Sequence, residues 1–261
     1  GADNDTLEID LSDWTTMPTG FVGEANLAEG WVGEHLNPTK VGTDTVTSVE
    51  NIKIYGDIDH IIVGDNKDNI IITDGGNDVI SGGDGNDTLD SGAGNAEIYG
   101  GEGDDTIIQS GTGIQYYNGG KGVDTYILDL ENWDLPEDLT VEVDLTTGFS
   151  GDHLNHSNPL NDTVVNIENI TLKGNVNSVM IGDGLDNIIK TLGGDDLIRA
   201  GEGHEGPQRA QDRRQAQPAR LRHRRNRHGW RRGRRGAARP SWTRTMPWRM
   251  RSWTILPIWI C

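Results

Sequence analysis

An apolar residue recurs every nine positions through the first half of this chain, at Ile62, Ile71, Ile80, Leu89, Ile98, Ile107 and Tyr116, and the residues between are mostly Gly, Asp and Asn. No other feature narrows the choice of fold as far. A unit this short has room for one tight turn and one very short strand, so the chain must coil and stack upon itself as a solenoid. The clearest unit is Gly82-Gly83-Asp84-Gly85-Asn86-Asp87-Thr88-Leu89-Asp90, with glycine at positions 1, 2 and 4, an acid at position 6 and the apolar residue at position 8. Glycines at these positions allow positive φ, which lets the backbone curl tightly and aim its carbonyls inward. The extended part points position 8 to one side and its neighbours to the other. Two units complete a coil, so residues eighteen apart stack at the strand spacing of roughly 4.7–4.9 Å.

Position 6 is then informative edge by edge. One edge reads Asn69, Asp87, Asp105 and Asp124, the last displaced by a one-residue insertion placed near Asn118; the other reads His60, Asp78, Ala96 and Ile114. Carboxylates stacked one strand apart repel one another. A calcium ion, which holds its oxygens at about 2.3–2.6 Å, fits between them. Asp87 and Asp105 form the best expected pair, with Asn69 and Asp124 on the same edge and Asp78 on the other. The turns Gly82, Gly83, Asp84, Gly85 and Gly100, Gly101, Gly103 are the expected sources of backbone oxygens. Asn187 and Asp196 are the corresponding candidates in a second array. Asp and Asn in turns are commonly just solvated, but recurrence at one fixed position weighs against that reading here.

These residues resemble the hemolysin-type calcium-binding repeats of the RTX (repeats-in-toxin) family, over about residues 55–127 and 173–203. The resemblance implies an all-β, right-handed parallel β-roll, calcium as cofactor, export through a type I secretion machinery to the extracellular medium, and folding triggered by calcium there. Two units depart from the pattern. Residues 64–69 lack two of the glycines, and residues 109–114 lack the aspartate.

Charge supports the same expectation without the family. Of 17 arginines, 16 follow residue 203, where only Glu205 and Asp212 oppose them, whereas residues 1–203 hold 39 acids against 7 bases. A segment at −32 with few aromatics is expected to stay expanded until cations neutralise it. Binding confined to the folded state then supplies folding free energy. The one cysteine, Cys261, excludes an internal disulfide framework. No signal peptide and no membrane-spanning apolar run is visible. The opening Gly1-Ala2-Asp3-Asn4-Asp5-Thr6-Leu7 reads as the end of a repeat unit, so the natural start is expected upstream.

The chain divides into five expected parts: a β-rich spacer or cap (1–54), a first roll (55–127), a second spacer (128–172), a truncated second roll (173–203) and an Arg/Trp-rich tail (204–261). The two halves are copies. A shift of 118 carries Gly33-Glu34-His35-Leu36-Asn37 onto Gly151-Asp152-His153-Leu154-Asn155 and Glu50-Asn51-Ile52 onto Glu168-Asn169-Ile170. The spacers also hold Trp14, and their Trp31 and Trp133 read as core sooner than as a carbohydrate- or partner-binding surface. The apolar ladder of the second array, Met180, Ile189 and Ile198, ends where Pro207 takes the next step. The tail after His204 is expected to be disordered or read out of frame, since Arg-Arg codons shifted by one nucleotide return Gly, Asp, Ala or Val. Its rival reading, a basic arm for nucleic acid or an anionic membrane, ranks below both, and no nucleic-acid partner is expected.

No catalytic motif is present: there is no H-E-x-x-H, G-x-S-x-G or P-loop. The fragment is expected not to be an enzyme. The match of Gly201-Glu202-Gly203-His204-Glu205-Gly206 to G-x-G-x-x-G falls inside the repeat with no helix to follow, and His153 and His156 read as surface residues before zinc ligands. Beside the calcium-binding role stand two alternatives: the non-catalytic C-terminal part of an exported protease or lipase, or a segment of a large adhesin, which the 118-residue duplication favours.

Overall fold

The structure, a computed structural model, describes residues 4–13, 20–34, 44–136, 138–152 and 161–201. Trp14, His35, His153, His156 and the tail from 204 therefore lie outside the described residues. The described chain is all β, in two sheets. The first runs β1 (Thr6–Asp10), β5 (Asn51–Asp57), β7 (Ile70–Gly75), β9 (Thr88–Asp90), β11 (Thr106–Gln109), β13 (Thr125–Asp129), β17 (Asn169–Lys173) and β19 (Ile188–Thr191). Every neighbouring pair in it is parallel. The second begins with β20 (Asp196–Arg199), β18 (Asn177–Ile181), β14 (Thr140–Asp144), β15 (Phe149–Asp152), β16 (Asp162–Val165) and β12 (Tyr116–Lys121). It continues through β10 (Glu97–Glu102), β8 (Val79–Asp84), β6 (His60–Val63), β2 (Gly23–Asn26), β3 (Trp31–Glu34) and β4 (Asp44–Thr45).

Successive nonapeptides alternate between the sheets, which is the β-roll expected from the period. Ile71 lies beside Leu89 and Leu89 beside Ile107 in one sheet, and Ile62 beside Ile80 and Ile80 beside Ile98 in the other. All six fill the space between the sheets and are almost fully buried. The ladder departs from expectation at its end. Ile98 faces Tyr117, and Ile107 faces Tyr126, each a step of nineteen. Tyr117 therefore takes the core place expected of Tyr116, its ring centroid 5.2 Å from that of Tyr126. Tyr116 stands on the outer face, 5.7 Å from Tyr99. The extra residue lies between Ile108, still paired with Asp90, and Ile114, whose N–H bonds Asn95, rather than near Asn118. Because side chains alternate along a strand, one added residue exchanges which of two adjacent tyrosines points inward.

The spacers contribute rungs of their own. Leu7 of β1 stacks on Ile52 of β5 and Ile52 on Ile71, while Ile170 of β17 lies between Tyr126 and Ile189. The first sheet thus runs unbroken from one array into the next. The second sheet is interrupted by an antiparallel excursion, β14–β15–β16, and ends in another, β2–β3–β4. Gly30 (φ 75°) and Gly148 (φ 71°), which are 118 residues apart, close the equivalent hairpins, their N–H groups bonding Asn26 and Asp144. Trp133 packs against the core and donates its indole N–H to the Ser110 carbonyl at 3.2 Å. Among the described residues no helix is long and apolar enough to cross a membrane.

Candidate metal centre

Position 6 of the units that feed the first sheet forms a continuous row: Asn69, Asp87, Asp105 and Asp124, extended by Glu50 at one end and Glu168 at the other. The row is built by one repeated bond. The backbone N–H of Asn69 donates to Asp87 Oδ1, that of Asp87 to Asp105 Oδ1, and that of Asp105 to Asp124 Oδ1, each at 2.8 Å. Asp124 N–H donates likewise to Glu168 Oε2. One oxygen of each carboxylate is used in this way. The other, Oδ2 of Asp87, Asp105 and Asp124, is buried with no hydrogen-bond partner. Three stacked buried acceptors without donors are costly in a folded protein.

Glycine explains how the oxygens come to be there. At positions 2 and 4 the expectation of positive φ holds, as at Gly83 (117°), Gly85 (114°), Gly101 (125°) and Gly103 (133°). At position 1 the reason is different. Gly82, Gly100 and Gly119 do not adopt positive φ, but a Cβ on any of them would collide with the Oδ2 of its own unit's aspartate. The same volume is bordered by the carbonyl oxygen of the next rung: Gly100 O beside Gly82 (2.7 Å from where that Cβ would lie), Gly119 O beside Gly100 and Asn166 O beside Gly119. A carboxylate oxygen and a main-chain carbonyl therefore converge at the rungs of Asp87, Asp105 and Asp124.

The electrostatics agree. Burial pushes Asp87 up to about 7, with the neighbouring charge of Asp105 adding to it. Burial also pushes Asp124 up to about 6, aided by Asp105 and Glu168, and raises Asp105 in the same direction. Groups held this way gain from any cation that replaces the lost hydration. Among the described residues no three His, Cys, Asp or Glu side chains are grouped so as to hold one metal ion between them. The donor set is instead one carboxylate per rung plus main-chain oxygens, which suits a hard, oxygen-seeking ion such as calcium and not zinc. The orphaned oxygens and the glycine volumes fit calcium.

The remaining candidates are placed differently. Asp78 is as deeply buried as Asp87, but Oδ1 accepts from His60 N–H at 2.8 Å and Oδ2 from the Thr73 hydroxyl at 2.6 Å, so both oxygens are taken. Asn69 uses its amide to bond Glu50 O and the Asp65 side chain, while its Oδ1 accepts from Asp65 N–H. Asn187 repeats these bonds with Glu168 O, Asp183 Oδ1 and Asp183 N–H. Asp84 is exposed, its N–H bonded to Asp65 O. Asp196 is exposed at the last described rung, accepting from Ser178 Oγ.

On the second edge the insertion moves Gln115, not Ile114, into position 6; Gln115 is buried and its N–H donates to Asp162 Oδ1, while Ile114 is 41 % exposed. Sequence reasoning missed Glu50, Glu168 and Asp162, which come from outside the repeats. It also missed an outer ladder at position 5, in which Asn86 N–H bonds Asp68, Asp104 N–H bonds Asn86 and Val123 N–H bonds Asp104. The eighteen-residue spacing of Asp68, Asn86 and Asp104 was the available signal for that ladder.

The family model for the RTX calcium-binding nonapeptide repeat (4 copies) matches the chain at residues 63–97, 97–108 and 181–205. No curated protein matches it. The matched segments contain Asn69, Asp78, Asp87, Asp105, Asn187 and Asp196, and the chain carries a calcium-binding repeat region.

Proposed function

We propose that this chain is the calcium-responsive part of an exported protein, in which the row Asp87–Asp105–Asp124 makes folding conditional on the calcium of the extracellular medium. The observation that carries the reading is the run of three buried Oδ2 atoms without donors. Bound calcium supplies the positive charge and the oxygen-seeking partner that this row lacks. The chain's own residues do the rest. Aspartate Oδ1 atoms fix the register of the rungs, position-1 glycines keep the oxygens accessible to one another, and position-8 side chains bury the core that the row would otherwise push apart. Inside a cell, where free calcium is scarce, such a chain stays expanded and fit for passage through a type I secretion machinery; outside, it folds. The role is binding and folding, with no catalysis assigned.

The 118-residue duplication, repeated bond for bond around Glu50 and Glu168, favours an extended array as the setting over the terminal domain of a hydrolase. The test is far-ultraviolet circular dichroism of the full chain in millimolar calcium and in chelator. A β signal that is strong in calcium and weaker in chelator, with a much lower melting temperature there, is expected; equal structure and equal melting in both would overturn the proposal.

A further inference from the structure

The two copies of the long repeat join the acid row through the same bonds, with one exchange. In the first copy, Asp5 N–H donates to Glu50 Oε2 at 3.0 Å, Asn69 Nδ2 reaches Glu50 O at 2.7 Å, and Ile70 N–H bonds Asn51 Oδ1 at 2.9 Å. In the second, Asp124 N–H donates to Glu168 Oε2 at 2.8 Å, Asn187 Nδ2 reaches Glu168 O at 2.9 Å, and Ile188 N–H bonds Asn169 Oδ1 at 3.0 Å. Even the backbone strain is copied. Ser48 (φ 56°) and Asn166 (φ 52°), also 118 apart, are the two non-glycine residues with positive φ among those described.

What is not copied is the cation. In the first copy the Lys67 ammonium lies 2.6 Å from Glu50 Oε1 and draws the Glu50 carboxyl below its ordinary range. Residue 185, at the matching place, is a leucine that is 54 % exposed, and among the described residues no basic side chain pairs with Glu168. At the same step Asp124, 1 % exposed, leaves Oδ2 buried without a partner. That oxygen and the Asn166 carbonyl oxygen border the volume that a side chain on Gly119 would fill. Asp124 Oδ2 and a main-chain carbonyl thus share one volume, one rung from a Glu168 carboxylate that accepts from Asp124 N–H and lacks the ammonium partner its counterpart Glu50 has.

We infer that Glu168, which lies outside the nonapeptides, completes a calcium site with Asp124 Oδ2 and the carbonyl oxygen of Asn166, sealing the junction between the first array and the second spacer. The inference rests on the calcium-binding reading of the acid row and adds a ligand to it. Lys67, half exposed, serves the buried Glu50 as a built-in counter-charge, whereas calcium would serve Glu168 in the second copy.

Two variants of the full 261-residue chain test this, with calcium bound at saturation measured by equilibrium dialysis and calorimetry. Leu185→Lys changes an exposed side chain and supplies the missing ammonium. Glu168→Gln keeps the acceptor for Asp124 N–H while removing the charge. Each is expected to bind one calcium ion fewer than the parent. If both bind as many ions as the parent with unchanged affinities, Glu168 is no ligand, although the acid row stands. A parent chain that binds no calcium would overturn the row itself, and this inference with it.

Discussion

The two edges of the stack are made from the same repeat and treat the same buried carboxylate in opposite ways. Where position 1 is Gly82, Gly100 or Gly119, the aspartate at position 6 keeps one oxygen without a donor. On the other edge position 1 is Thr73, Ser91 or Gln109. There the side chain occupies the volume that glycine leaves open. Thr73 Oγ1 donates to Asp78 Oδ2 at 2.6 Å, and Gln109 Nε2 to Asp162 Oδ2 at 2.7 Å. Ser91 faces Ala96, which offers no carboxylate, and its hydroxyl turns to Gln115. Position 1 thus decides whether the second oxygen of a rung's carboxylate is satisfied from within the chain or left without a donor. On the proposed reading, the first kind of edge is a permanent seam and the second a calcium-dependent one.

The widest separation between the edges is expected from removing one aspartate on each. Asp105→Ala takes away the acceptor for Asp87 N–H and a buried oxygen together, so at least one calcium ion should be lost. The calcium needed for half-folding should rise about a hundredfold, on the order of 3 kcal/mol. Asp78→Ala leaves His60 N–H without its acceptor and the Thr73 hydroxyl with the Ser91 carbonyl alone, at a cost of about 1–3 kcal/mol. That cost should appear equally in calcium and in chelator, with the number of bound ions unchanged. Calorimetric stoichiometry beside thermal melting reads both, and loss of calcium from Asp78→Ala but not Asp105→Ala would reverse the assignment of edges.

A smaller effect should follow pH. The folded chain holds Asp87 at about 7 and Asp124 at about 6, by burial first, above the roughly 4 of an unfolded aspartate. Without metal, the folded state therefore takes up protons as it forms. Its stability from these groups is full below about pH 4 and is lost as pH rises through 6 and 7. With calcium the sense reverses, since an ionised carboxylate is the ligand and the proton must leave. Melting in chelator should fall from pH 5 to pH 8, while the gain in melting temperature on adding calcium should grow over the same range. A chelated chain that melts no lower at pH 8 than at pH 5 would break this part of the comparison.

Period and spacing carried much of this architecture. The nine-residue recurrence from Ile62 to Ile107 gives the coil, its core and its register, and the eighteen-residue recurrence of Asp87 and Asp105 gives the acid row. What period cannot carry was misplaced or missed. Tyr116 and Tyr117 are adjacent and alike, so a single insertion upstream exchanges them without leaving a compositional trace. Glu168 follows Asp124 by 44 residues and reaches it only because β17 stacks on β13, a long-range pairing that no local pattern announces. The antiparallel excursions arise in the spacers, where no nine-residue period sets the pairing. Position 1 was legible as glycine but not as empty volume, since sequence alone favours the conformational reason over the steric one.

The subtlest expected effect reverses one rung. Thr73→Gly removes the hydroxyl that donates to Asp78 Oδ2 and also bonds the Ser91 carbonyl at 3.0 Å. It leaves a buried carboxylate oxygen and a next-rung carbonyl facing an open volume, which is the arrangement at Gly82, Asp87 and Gly100. In chelator the variant should be less stable by about 1–2 kcal/mol, the cost of an unsatisfied buried oxygen together with a more flexible residue. Saturating calcium should restore most of that loss and add one ion to the stoichiometry. Should the loss persist undiminished in calcium, the emptiness at position 1 is not what makes a rung calcium-dependent. The difference between the edges would then lie in the backbone of the turns at position 2, where Gly83 (φ 117°) and Gly101 (φ 125°) hold positive φ on the acid edge and Asp74 on the other edge does not.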